Sequence, residues 1–148
     1  MARAARSSRG TITPKRIVWS VTIVVLLAAC KAPSPSEQMD SILSWFGTAG
    51  MAGQAWVNHT TPEKYTRQTL ELSEQTIRQL SDDLLHAPPT GIDTAALDAV
   101  LSRSSNRIAQ IARLVGARNA PEVVTQLDSL RTDERIVKQF ADSIESKQ

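Results

Sequence analysis

The chain has 148 residues, with 17 Lys and Arg against 15 Asp and Glu, and a single Cys. This length favours one domain, and a content of 41% apolar and 22% charged residues argues against a wholly disordered chain. Five basic residues and no acidic one lie in positions 1–29, so 12 basic and 15 acidic residues remain beyond them. That remainder carries a formal charge of −3, which disfavours a nucleic-acid-binding protein.

An uncharged apolar run follows the basic N-terminus and extends from Ile17 to Leu27. A helix of these residues, with Ala28 and Ala29 added, would be about 20 Å long, whereas the hydrocarbon layer of a bilayer is about 30 Å thick. The pattern is therefore typical of a secretory signal peptide and disfavours a permanent membrane span.

The apolar run ends in Leu27-Ala28-Ala29-Cys30, at the sole cysteine of the chain. This segment resembles the lipobox of bacterial lipoprotein precursors, which consists of Leu, two small residues and Cys. The resemblance implies that a signal peptidase recognises Leu27, Ala28 and Ala29, cuts before Cys30, and leaves a lipidated cysteine as the first mature residue. The alternative is an uncleaved signal anchor that ends in a free cysteine. With no second cysteine, the mature body can form no disulfide within the chain.

The same resemblance implies a location and a first partner. Acyl chains such as palmitate on Cys30 would fasten the protein to a membrane of the bacterial cell envelope, and two or three chains hold it nearly permanently. Because Lys31 is not the Asp that retains some lipoproteins on the inner membrane, the periplasmic face of the outer membrane is favoured over the cytoplasmic membrane.

Residues 30–36 are rich in Pro and Ser and predict an extended tether, after which residues 37–148 predict a helical domain. The signals at helix ends place four helices. They are expected from Ser34 or Ser36 to about Val57, from Thr61-Pro62-Glu63 to about His86, from Asp93 or Thr94 to Gly116, and from Pro121-Glu122 to about Ser146. Ser34, Pro35 and Glu37 read as a capping box, and Thr61 reads as a second cap. Similar lengths and short connections predict an all-α, up-down-up-down antiparallel four-helix bundle.

Helical periodicity supports the bundle most clearly in the third helix. Its stripe is Leu97, Leu101, Ser104, Ile108, Ile111 and Val115, all within about 40° of one direction. Gly116 is expected to end this helix in a left-handed conformation. The fourth helix is interrupted by Thr132-Asp133-Glu134, where a kink or a fifth short helix is possible.

The first helix contains a 17-residue segment, Ser41–Val57, with no charge and three glycines. One interpretation is a central helix whose Gly47, Ala49, Gly50 and Gly53 allow close packing. The others are a segment that dips into the membrane and a face that binds a partner through Trp45 and Trp56, which lie about 16 Å apart on one face.

Four arginines stand in a stretch without acidic residues. They are Arg103, Arg107, Arg113 and Arg118. They predict either contacts with anionic lipid headgroups, a glycan or an acidic partner, or ion pairs with carboxylates of neighbouring helices. The candidate carboxylates for such pairs are Glu71, Glu74, Glu122 and Asp128.

Signals for catalysis, cofactors and metals are weak, and we predict none of the three. His59 and His86 are expected about 40 Å apart, too far to share an ion. Ser81, Asp82 and His86 lack the strained nucleophile turn and the oxyanion-forming loop of a hydrolase, so helix capping is the favoured role for the histidines.

The function that these features favour is a membrane-anchored interaction or scaffold module in the cell envelope. Its partner would be another envelope protein, and nucleic acid is not expected. The candidate interaction patch consists of Trp45, Trp56, Tyr65, Arg103 and Arg107. The alternative is a bundle that binds a small apolar ligand or lipid in a pocket formed by the glycines and tryptophans of the first helix.

Overall fold

A computed structural model of the chain describes residues 33–146, and the predicted signal peptide, lipobox and Cys30 lie outside this range. Four helices follow one another in the described residues. They are α1 (Pro35–Val57), α2 (Glu63–His86), α3 (Thr94–Gly116) and α4 (Ala120–Glu145). The described part of the chain contains no strand, and the predicted all-α fold is confirmed.

The helices form a closed ring in chain order. Each packs against the next, and α4 returns to pack against α1. α1 and α3 lie diagonally and make few contacts, whereas α2 and α4 make none. Short connections between sequential neighbours give the up-down-up-down bundle that the helix lengths predict. Within residues 33–146, no helix combines the length and the apolar character needed to cross a bilayer.

The core is built by the apolar stripe of each helix. Phe46, Leu70, Ile108 and Leu130 are examples from the four helices, and each is at most 2% exposed. All six members of the predicted stripe on α3 are buried, including Ser104, whose hydroxyl donates to the Val100 carbonyl at 2.7 Å. That bond satisfies a polar group that would otherwise be costly to bury.

Three helix starts carry a side-chain cap. The predicted capping box on α1 is confirmed, because the Glu37 backbone N–H donates to Ser34 Oγ and the Ser34 N–H donates to Glu37 Oε2. Asp93 and Asn119 cap α3 and α4. The prediction for α2 is wrong: Pro62, not Thr61, stands at the N-cap, and no side chain caps this helix.

Two helices are followed, two residues after their last helical residue, by a residue with a left-handed backbone conformation. His59 has φ 57° after α1, and Arg118 has φ 55° after α3. In both cases the N–H of the left-handed residue and the N–H of the next residue donate to carbonyls of the last turn, as in a Schellman motif. The prediction that Gly116 is the left-handed residue is therefore wrong, since Gly116 is still helical and Arg118 takes that role.

The glycines of α1 have unequal roles. A Cβ added to Gly53 would lie 2.8 Å from Leu127 Cδ2, so α1 and α4 approach closely there. A Cβ on Gly47 or Gly50 would meet nothing within 4 Å. Close packing is thus confirmed at Gly53 and at the fully buried Ala49, and it is wrong for Gly47 and Gly50.

Charge is distributed unevenly along the bundle axis. The start of α1, the end of α2, the start of α3 and the end of α4 meet at one end, which we call the acidic end. Among residues 33–146, its eight carboxylates are Glu37, Asp40, Asp82, Asp83, Asp93, Asp98, Asp142 and Glu145, against the single basic residue Lys138. The arginines of α3 lie farther along the bundle.

Candidate functional site

Asp133 of α4 holds two arginines of α3. The fifth short helix considered around Asp133 does not form, because α4 is continuous from Ala120 to Glu145. Asp133 Oδ1 accepts from Arg103 Nε at 3.0 Å and from Arg103 Nη2 at 2.8 Å, and Oδ2 accepts from Arg107 Nε at 3.0 Å. The Asp133 side chain is only 5% exposed, so the shared carboxylate fixes both guanidinium groups at the α3–α4 boundary.

The two arginines are held but not enclosed. Arg107 is 20% exposed and also donates to Gln126 Oε1 at 2.9 Å, while Arg103 is 50% exposed. One carboxylate against two guanidinium groups leaves a positive charge at this cluster. Ion pairing was among the predicted roles of these arginines, but the partner is Asp133 and not any of the four predicted carboxylates.

A groove on the outward side of α3 brings a larger set of basic side chains together. We call it the arginine groove; its volume is about 660 Å³ and its lining contains no acidic residue. Its polar lining is Arg78, Arg103, Asn106, Arg107, Gln110 and Arg113. At 100° per residue, the three positions 106, 110 and 113 fall within about 60° on the side of α3 opposite the buried Ile108.

Arg78 closes the groove from α2. It pairs with Glu74 on its own helix, and its Nη2 donates to Asn106 Oδ1 of α3 at 2.8 Å. The Arg113 side chain makes no hydrogen bond or ion pair with any described residue. Four guanidinium charges therefore face two neutralising carboxylates, Asp133 and Glu74, and two positive charges remain uncompensated.

The other members of the predicted interaction patch lie elsewhere. Trp45 and Trp56 are partly buried against the core on α1, and Tyr65 is 62% exposed near the start of α2. Since α1 is diagonal to α3, the tryptophans and the two arginines do not form one continuous surface. The structure brings together Arg103 and Arg107 and leaves the aromatic residues on other sides of the bundle.

A second groove, of about 900 Å³, lies between α1 and α4. Its lining is Asp40, Leu43, Asp128, Arg131, Thr132, Glu134, Arg135 and Lys138. Arg131 Nη1 donates to Asp128 at 2.7 Å, and its Nη2 donates to Gln54 at 3.1 Å. Three acidic and three basic side chains balance one another here, so this groove favours no ligand charge.

Trp56 lines a smaller groove, of about 360 Å³, at the α1–α2 loop. The rest of its lining is His59, Thr60, Thr61 and Pro62, and it includes no glycine of α1. It is therefore not the pocket of α1 glycines and tryptophans that the ligand-binding alternative predicts.

The groups considered for catalysis are arranged for helix structure. Ser81 Oγ donates to the Ile77 carbonyl at 2.6 Å, and His86 Nδ1 donates to the Asp82 carbonyl at 2.6 Å. His86 thus satisfies a backbone acceptor in the last turn of α2, the capping role predicted for it. His59 and His86 lie at opposite ends of the bundle. Among residues 33–146, no group of three or more His, Cys, Asp or Glu side chains is placed to hold a metal ion.

The bonds made by Asp133, Arg78 and Asn106, which position the guanidinium groups of the arginine groove, were not anticipated from the sequence. Asp133 carries a usable signal, because at helical spacing it shares the apolar stripe of Leu130 and Val137, where an acid needs a partner. Arg78 and Asn106 carry none, since their pairing depends on the register between α2 and α3.

Comparisons of the chain with protein families, with curated proteins and with solved structures find no match.

Proposed function

We propose that the chain is the precursor of a lipoprotein of the bacterial cell envelope, most favourably held on the periplasmic face of the outer membrane. The supporting observation is the position of the sole cysteine, which follows Leu27-Ala28-Ala29 at the end of an uncharged run. Cleavage before Cys30 and acylation of its thiol and amine would anchor the bundle through the short tether of residues 30–36.

The anchored bundle acts as an interaction module and not as a catalyst. The observation that supports this role best is the arginine groove, where uncompensated guanidinium charges are held on the outward side of a rigid helix. Tethering to a surface raises the effective concentration of the groove toward any partner on the same membrane. Charged and amide side chains on the groove walls favour a polar partner over a small apolar ligand.

Replacement of the cysteine tests the anchor. In Cys30→Ser the nucleophile for lipid transfer is absent, so we expect an uncleaved precursor or a released domain, without acyl mass. Ala32→Ser is the matched control, since it also introduces a serine hydroxyl into the tether but keeps Cys30. Intact-mass measurement and membrane fractionation give the readouts. Normal maturation and unchanged retention of the Cys30→Ser chain would refute the proposal.

Purification from membranes tests the binding role. The lipidated protein should co-purify with a protein in fixed stoichiometry, as shown by mass spectrometry. Retention of a lipid or metabolite without any protein would instead favour the ligand-binding alternative.

A further inference from the structure

We infer that the arginine groove binds an acidic segment of a partner protein, with partner carboxylates paired to Arg103, Arg107 and Arg113. This inference rests on the proposed interaction role and names the chemistry of the partner. The pairing of carboxylates with these arginines does not depend on whether Cys30 is lipidated; only the argument against the anchor membrane assumes that it is.

The guanidinium groups are positioned before any partner arrives. Asp133 bonds the inner edges of Arg103 and Arg107, and Asn106 accepts from Arg78. Arginine side chains lose considerable rotamer freedom when they are fixed, and here part of that loss has already occurred on folding. The N–H groups not used in these bonds remain available as donors to carboxylates, which match the planar guanidinium fork.

The length of the groove points to an extended occupant. Arg103 and Arg107 are one turn apart, about 6 Å by helical rise, and Arg113 lies about 9 Å farther along. One small anion cannot reach positions spread over about 15 Å. Carboxylates three or four positions apart on a helical segment match the spacing of about 6 Å between Arg103 and Arg107. The Asn106 and Gln110 amides between them can bond polar groups of that segment.

The anchor membrane itself is a poorer occupant. From Cys30 to Ser34 the chain spans at most about 14 Å, so an anchored bundle keeps its acidic end beside the bilayer. The described residues of that end comprise eight carboxylates against one lysine, and anionic headgroups repel them. Arg103, the first residue of the arginine groove on α3, lies about 14 Å by helical rise from the start of that helix at Thr94. Charge complementarity therefore favours an acidic protein segment over the lipid surface.

A labelled peptide tests the inference directly. The probe is an alanine-based helical peptide of about 15 residues with glutamates three and four positions apart, and its control has glutamine at the same positions. Binding to the full chain in non-ionic detergent is followed by fluorescence anisotropy. We expect binding of the glutamate peptide only, with affinity falling as salt is raised.

Two point variants locate the site. Arg113→Gln should weaken binding about tenfold, the effect of losing one charge-assisted bond. It should leave the circular dichroism spectrum unchanged, because this side chain makes no bond with a described residue. The matched control is Arg135→Gln on α4, which removes one exposed charge bonded only to nearby groups and should change affinity less than twofold. Equal effects of the two variants would overturn the assignment.

Competitors distinguish the kinds of anion. Pyrophosphate, or micelles that contain phosphatidylglycerol, should displace the peptide only weakly. Tighter, Arg113-dependent binding of either competitor would overturn the acidic segment in favour of a phosphate ligand or an anionic membrane. Loss of peptide binding with intact anchoring refutes this inference alone, whereas failure of the Cys30→Ser test leaves it standing.

Discussion

Replacement of Asp133 by Asn is the most informative test of the α3–α4 boundary. The variant keeps the shape of the side chain but removes the charge that two guanidinium groups share. Hydrogen bonds to a charged group stabilise a protein by about 1.5–3 kcal/mol and neutral ones by about 0.5–1.5 kcal/mol, so each arginine loses about 1 kcal/mol. The amide N–H₂ of the introduced asparagine would also face the two guanidinium groups, which can only donate hydrogen bonds and cannot accept one from it.

The expected loss in the free energy of unfolding is therefore about 2 kcal/mol. It is smaller than the 3–5 kcal/mol typical of breaking a fully buried pair, because Arg103 is 50% exposed and can be rehydrated. With a urea m-value of about 1.5 kcal/mol per molar, the unfolding midpoint should fall by about 1.3 M. Circular dichroism at increasing urea concentration measures this midpoint.

Asp128→Asn is the matched control. Asp128 lies on the same helix and pairs with Arg131 at 2.7 Å, but its side chain is 66% exposed. An exposed pair contributes little, so the control should lose less than about 0.5 kcal/mol. If both variants shift the midpoint equally, the buried carboxylate does not stabilise the boundary and the reasoning fails.

Two further predictions concern backbone conformation. Gly47→Ala and Gly50→Ala should each stabilise the protein by about 0.5–1 kcal/mol, because alanine favours helices and the added methyl meets open space. Gly53→Ala should lower the thermal midpoint because its methyl would press on Leu127, and a uniform rise across the three variants would contradict this. His59→Gly should stabilise by about 0.5–1 kcal/mol by removing a side chain from a left-handed residue. His86→Gly, which changes a helical position, should do the reverse in the same melts, and destabilisation by both would count against the strain at His59.

Local signals were sufficient to predict most of the fold. Ser34 with Glu37 predicted the start of α1, and the stripe from Leu97 to Val115 predicted the buried face of α3, because capping and amphipathicity depend on residues within a few turns. Thr61 and Gly116 were misjudged because each competes with a neighbour. Pro62 takes the N-cap of α2, and after Gly116 the C-cap Ala117 keeps a right-handed conformation before Arg118 turns left-handed.

The candidate site was only partly predictable. The acid-free run of arginines was visible, yet the pairing of Arg103 and Arg107 with Asp133 joins residues 26 and 30 positions apart across two helices. Such a pairing depends on the relative register of α3 and α4, which periodicity within one helix does not determine. Asp133 within the apolar stripe of α4 was considered as a possible start of a separate helix, whereas it is a buried carboxylate with two arginine partners inside one continuous helix.

The acidic end has a consequence for crowding on a membrane. Copies anchored through Cys30 in one leaflet would all have the acidic end next to the lipid. The carboxylates of neighbouring bundles would therefore lie at the same distance from the membrane and repel each other. The repulsion acts over roughly 8 Å at physiological ionic strength and grows in range as salt is diluted. Anchored copies would therefore spread apart in the plane of the membrane, and the α3 face of each copy would stay accessible. Divalent cations would screen the repulsion and let the copies come closer together.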